Sequence, residues 1–140
     1  MHSQLRFKVG WLVQHQVLAL THFDPVVLPE DTRQILQQAD HLLLQARPGF
    51  HLLIDNRTVQ MSHLVPLQFI LDTLPALKAH FLKSIVVMVP ENLQQQARQL
   101  PVEEVEDIQL HHVLGLQEAF QLLHPAEEQL HWDEKFFLPE

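Results

Sequence analysis

Two short apolar runs constrain this chain most. Leu52, Leu53 and Ile54 end abruptly in the polar Asp55, Asn56, Arg57 and Thr58, and further along Ile85, Val86, Val87, Met88 and Val89 are closed by Pro90. Runs of roughly four to eight apolar residues bounded by polar ones read as strands buried on both faces, as in sheets covered by helices. Residues 50–58 therefore predict the central strand of an α/β sheet, and residues 85–89 a second interior strand. Loops leaving the carboxyl ends of such strands are where ligands and partners dock, which directs attention to residues 55–63.

Upstream, Leu5, Phe7, Val9 and Trp11 alternate with Arg6, Lys8 and Gly10, the period-two pattern of a strand with one face in water. A second run, residues 16–23, follows too closely for a crossover, so the two predict an antiparallel hairpin, although the turn at Gln14, His15 and Gln16 carries neither Gly nor Asn. Pro29, Glu30 and Asp31 suit a first helical turn, where a missing N–H is harmless and negative charge meets the helix dipole. Ile35, Leu36, Ala39, Leu42, Leu43 and Ala46 then recur at three and four as one apolar stripe, until Pro48 and Gly49 stop the helix. Ser62 reads as the N-cap of a second helix that turns Leu64, Leu67, Ile70, Leu71 and Leu74 inward, with Pro75 kinking or restarting it. Residues 91–100 predict a short, exposed, Gln-rich helix closed by Pro101, and residues 102–106 an acidic link. Ile108, Leu110 and His112 predict a last strand, and residues 115–123 a final helix ended by His124 and Pro125.

The resulting order is β-β-α-β-α-β-α-β-α: an α/β fold in a single domain, its mixed sheet made of an N-terminal antiparallel hairpin followed by βαβ crossovers. Residues 1–125 are expected to form that domain. Residues 126–140, a tail that mixes acids with Trp132, Phe136, Phe137 and Leu138, are expected to fold back onto it.

The chain has 140 residues, a length that buries enough surface for a core of its own. Nine Lys and Arg against seventeen Asp and Glu leave a formal charge of -8, with no basic patch or basic helix for nucleic acid or anionic lipid. The absence of cysteine rules out disulfides, thiolate nucleophiles and cysteine-based metal centres. Eleven histidines invite a metal, but His111 and His112 are adjacent on a strand and point to opposite faces, and no His-Glu-x-x-His pair exists, so no metal is expected. Three glycines provide no phosphate-binding turn, and no cofactor is expected. Residues 1–8 lack the roughly 7–15-residue apolar core of a signal peptide and no run approaches the ~20 residues of a membrane span, so a cytoplasmic location is expected.

At the loop, Asp55 reads first as an anchor that accepts backbone N–H bonds from Arg57 and Thr58, ahead of general base or metal ligand. Arg57 either offers its fork of donors to a phosphate or carboxylate, or pairs with Asp55. Thr58 and Ser62 are the candidate phospho-acceptors, since phosphate at a helix start is electrostatically favoured; a plain cap is the simpler role for Ser62. His63 stands beside Ser62 as its base would, yet no Gly-x-Ser-x-Gly elbow frames the pair, so no catalytic residue is assigned.

This order of elements resembles the STAS domains, the SpoIIAA-like group that includes anti-sigma-factor antagonists. The likeness covers most of residues 5–124 and rests on the strand ending Leu52-Leu53-Ile54-Asp55 with Val59, the strand Ser84-Ile85-Val86-Val87-Met88-Val89, and the closing Glu118-Ala119-Phe120-Gln121-Leu122-Leu123. Gln60-Met61-Ser62-His63-Leu64 stands where phospho-switched members carry an Asp-Ser-Ser-Gly-like motif, and it lacks that motif's Asp and Gly. The resemblance implies the scaffold, a bacterial signalling setting and a partner-facing loop. The expectation is a non-enzymatic protein-interaction or regulatory module whose protein partner meets Asp55, Asn56, Arg57, Thr58, Ser62 and His63, with room for a homodimer. The alternative is a small apolar-ligand or lipid-binding domain with a pocket between the sheet and helices one and two; a pocket above roughly 300 Å³ would favour it.

Overall fold

The alternating residues near the N-terminus form the edge of a sheet. In this computed structural model, which describes residues 5–123 and 133–138, β1 (Phe7–Val13) and β2 (Val17–His22) pair antiparallel, with Phe7 opposite His22. The turn dispenses with Gly because His15 itself takes the left-handed conformation at φ 63, and Gln16 N–H donates to the Val13 carbonyl at 2.9 Å. The apolar runs become β3 (His51–Asp55) and β4 (Ser84–Met88), and the last alternating stretch becomes β6 (Ile108–Val113). With the short β5 (Glu103–Val105), six strands make one mixed sheet in the order β1-β2-β3-β4-β6-β5, in which β2, β3, β4 and β6 are mutually parallel.

Because parallel neighbours follow one another along the sheet, their connecting helices gather on one face. There α1 (Pro29–Leu43), α2 (Leu67–Thr73), α3 (Ala76–Ala79) and α4 (Gln94–Gln99) cover Leu18, Leu52, Ile85 and Leu110, with Ile35, Ala39 and Leu43 as the buried stripe of α1. On the other face α5 (Leu116–Leu123) buries Ala119 and Leu123 against Val17, Ala19, Leu53, Val86 and Val113. Residues 133–138 join that second layer: a 3-10 turn, Glu134–Phe137, buries Phe137 and lays the Phe136 ring on Gly10, where an added Cβ would stand 3.3 Å from the ring. Trp132 and residues 126–131, 139 and 140 of the expected tail lie outside the described residues.

Two expectations are corrected. The acidic link is in part a strand: β5 pairs antiparallel with β6 through a two-residue turn, Glu106 and Asp107, both at positive φ. Ser62 does not cap the second helix, which begins at Leu67 after Pro66. Pro66 biases Val65 away from helical geometry, which disfavours a first turn over residues 62–65. The Leu67 N–H is met from a distance, by the Glu103 carboxylate of β5 at 3.3 Å. Pro75 does interrupt the helical segment, α2 ending before it and α3 starting after it.

Candidate functional site: an apolar cavity beneath the loop after the central strand

At the end of β3 the chain leaves the core through Asp55, which is only 4 % exposed. Its Oδ1 accepts the Arg57 N–H at 3.1 Å, the Asx-turn anchor, whereas the expected second bond from the Thr58 N–H is not formed. The Arg57 guanidinium returns to the same carboxylate, Nε to Oδ1 at 2.9 Å and Nη2 to Oδ2 at 3.0 Å, and the Thr21 hydroxyl donates to Oδ2 at 2.8 Å. These hydrogen bonds raise the Arg57 pKa further above its ordinary value. Asp55 is thus a structural anchor, and the donors of Arg57 that face it are occupied within the loop.

Thr58, Ser62 and His63 lie on the exposed outside of the loop. Ser62 Oγ is 3.1 Å from His63 Nδ1, and no hydrogen bond among the described residues joins this pair to Asp55 or Arg57. The predicted residues therefore fall into an inner ion pair and an outer Ser-His pair. A nucleophile needs a base oriented by a third group, and here none is present among the described residues. The loop is fixed by its backbone: Gln60 N–H donates to the Pro25 carbonyl at 2.8 Å, and Asn92 Nδ2 donates to the Met61 carbonyl at 2.9 Å. Asn56 and Met61 face inward, over a cavity.

That cavity has a volume of about 300 Å³ and lies between the sheet and α1 and α2. Its floor is Leu18 and Leu20 of β2, Leu52 and Ile54 of β3, and Val87 of β4. Its walls are Ile35, Leu36 and Ala39 of α1 and Phe69, Ile70, Thr73 and Leu74 of α2, with Leu64 and Val65 from the loop. The cavity exists because α1 packs over β1 while α2 leans on β5, leaving the middle strands incompletely roofed. In the floor Leu52, Ile54 and Val87 keep 6 %, 9 % and 7 % of their surface exposed, and Leu18 keeps 1 %. The mouth is apolar too: Val27 and Phe69 line the cavity and are 36 % and 61 % exposed.

A few polar groups enter this lining: His22, Asn56 and His112 at the carboxyl ends of their strands, with Thr32 and Thr73 from the helices. Burial is the main cause that lowers the His22 pKa, opposed by Asp31 and Asp55; burial likewise lowers that of His112, opposed by Glu103. Both imidazoles are therefore neutral at neutral pH. Sequence reasoning did not assign His22, His112, Met61 or Phe69 to a site. One signal was present: His22 continues the Leu18-Leu20 face and His112 the Ile108-Leu110 face, so each strand ends in an imidazole on its helix-covered side. Among the described residues no three His, Asp or Glu side chains gather to hold a metal ion, and no helix is long and apolar enough to cross a membrane. The chain matches no protein-family model, curated protein or solved structure with which it was compared.

Proposed function

We propose that this protein is a non-enzymatic, STAS-like binding domain that receives a small apolar molecule between its sheet and the helices α1 and α2. The observation that carries the reading is the cavity of about 300 Å³, walled mostly by aliphatic side chains with Phe69 and a few polar groups without formal charge. Small-molecule sites have this composition and begin at about this size. An apolar void of only about 150 Å³ already admits benzene, because contacts missing across a dry gap are recovered by a guest. The test is uptake of the uncharged fluorophore 1-aminoanthracene by wild type and by Ile70→Trp, which fills the cavity from a half-buried wall position. Saturable, blue-shifted emission with wild type that is lost in a folded Ile70→Trp supports the reading. Equal emission with both variants contradicts it.

A second reading, the regulatory module that meets a protein partner through residues 55–63, is favoured by a separate observation. Thr58, Ser62 and His63 are exposed on a loop whose backbone is pinned at Pro25 and Asn92, so a partner would meet a preformed surface. A pull-down with wild type and Arg57→Ala, read by mass spectrometry for partners and for phosphate on Thr58 and Ser62, tests it. The reading fails if no partner retained by wild type is lost or weakened in the folded variant.

A further inference from the structure

The electrostatics of the cavity specify the charge of its guest. Among the described residues no Lys or Arg lines it; its polar groups are the imidazoles of His22 and His112, the amide of Asn56 and the hydroxyls of Thr32 and Thr73. The guanidinium groups at the ends of β1 and β3 are already engaged, Arg6 with Asp24 and Asp31 at 2.8 and 3.0 Å, and Arg57 with Asp55 at 2.9 Å. Asp31 and Asp55, the carboxylates nearest His22, are the ones those guanidiniums pair with, and His112 feels Glu103 and His111 with opposite signs. An anionic headgroup brought here would lose its water and find no cation in the lining among the described residues. A hydroxyl, carbonyl or ester oxygen would find neutral donors and acceptors, and its chain the aliphatic walls.

We propose that the cavity selects uncharged amphiphiles, such as long-chain alcohols or esters, against the corresponding carboxylate anions. This rests on the cavity being a binding site, and the experiment separates the two claims. Bound 1-aminoanthracene is displaced by decanol or by decanoate at about pH 8, where carboxylates are ionised and histidine is neutral. The same titrations are made on Thr73→Lys, which adds an ammonium to the lining. Thr73 is exposed, and its hydroxyl bonds only the Phe69 carbonyl of its own helix at 2.7 Å, so the fold tolerates the change. An alcohol also leaves water more readily than its acid anion, which makes this variant the decisive arm.

The expected result is displacement by decanol at a concentration at least about tenfold below that of decanoate, a difference in binding of one decade, and a narrowing of that gap in Thr73→Lys. Decanoate displacing the probe as well as decanol does from wild type overturns the ligand class and leaves the cavity as a site. A gap that Thr73→Lys does not narrow also overturns it, because charge is then not its cause. If neither the probe nor decanol binds, the cavity is not a binding site and the inference falls with it.

Discussion

Arg57 and Asp55 close a two-residue ring on themselves, the guanidinium Nε 2.9 Å from Oδ1 of a carboxylate that also holds Thr21. The two partners are unequal, since Asp55 is buried and Arg57 is about a third exposed. Asp55→Ala leaves the buried Thr21 hydroxyl and the Arg57 N–H without their acceptor and should cost roughly 1–3 kcal/mol, the freed guanidinium being already partly in water. Arg57→Ala takes the counter-ion from a carboxylate whose side chain is only 6 % exposed and should cost a comparable amount, roughly 1–3 kcal/mol, with Thr21 and a backbone N–H still donating to it. Urea unfolding of both variants measures these costs; a loss below about 0.5 kcal/mol for Asp55→Ala would contradict the anchor role of Asp55.

Leu53 is fully buried between β2 and β4 and faces α5. Leu53→Asp places an unpaired charge in an apolar layer, at several kcal/mol against the roughly 5–15 kcal/mol that holds a whole domain together. The variant should be unfolded by circular dichroism. A soluble Leu53→Asp protein with an unchanged melting temperature would refute the central position of β3.

Ser62 lies five positions before the first residue of α2. With no cap to lose and an exposed side chain, Ser62→Glu should change stability by no more than about 0.5 kcal/mol. A loss nearer the ~1 kcal/mol typical of a removed N-cap would restore the helix start to residue 62.

Burial, with smaller contributions from Lys83 and His111, pushes the His51 imidazole down to about 4 from its ordinary 6.5. Between those values the unfolded chain holds a proton that the folded chain does not, so stability is fully present above about 6.5 and declines as the pH falls toward 4. His22, His111 and His112, all lowered chiefly by burial, act with the same sign. Melting temperature measured across this window should fall with decreasing pH, and less steeply in His51→Gln. A flat profile, or a slope that His51→Gln leaves unchanged, would contradict the burial of His51.

The layered fold was legible because its signals are local: apolar runs bounded by Asp55 and Pro90, the stripe of α1, the proline at its first turn. Asp55 was legible as an anchor because an Asx-turn involves only the next two residues. The start of α2 was misread because Ser62 matched a capping pattern while Pro66 and the distant Glu103 decided the outcome. β5 was missed because an edge strand of three residues, two of them acidic, carries little alternation and protects its edge with charge. The cavity depends on how far apart α1 and α2 settle over β2, β3 and β4, a long-range quantity that no window of sequence contains.

Methyl-resolved NMR of the protein titrated with decanol tests the account most directly, because neighbouring strand residues report on opposite faces. Leu20, Ile54 and Val87 line the cavity, while Leu53, Val86 and Val113 pack on the other face of the same sheet. The account predicts saturable shifts at the first three and little change at the second three. Shifts centred on Leu53, Val86 and Val113, or none at any of the six at saturating decanol, would contradict it.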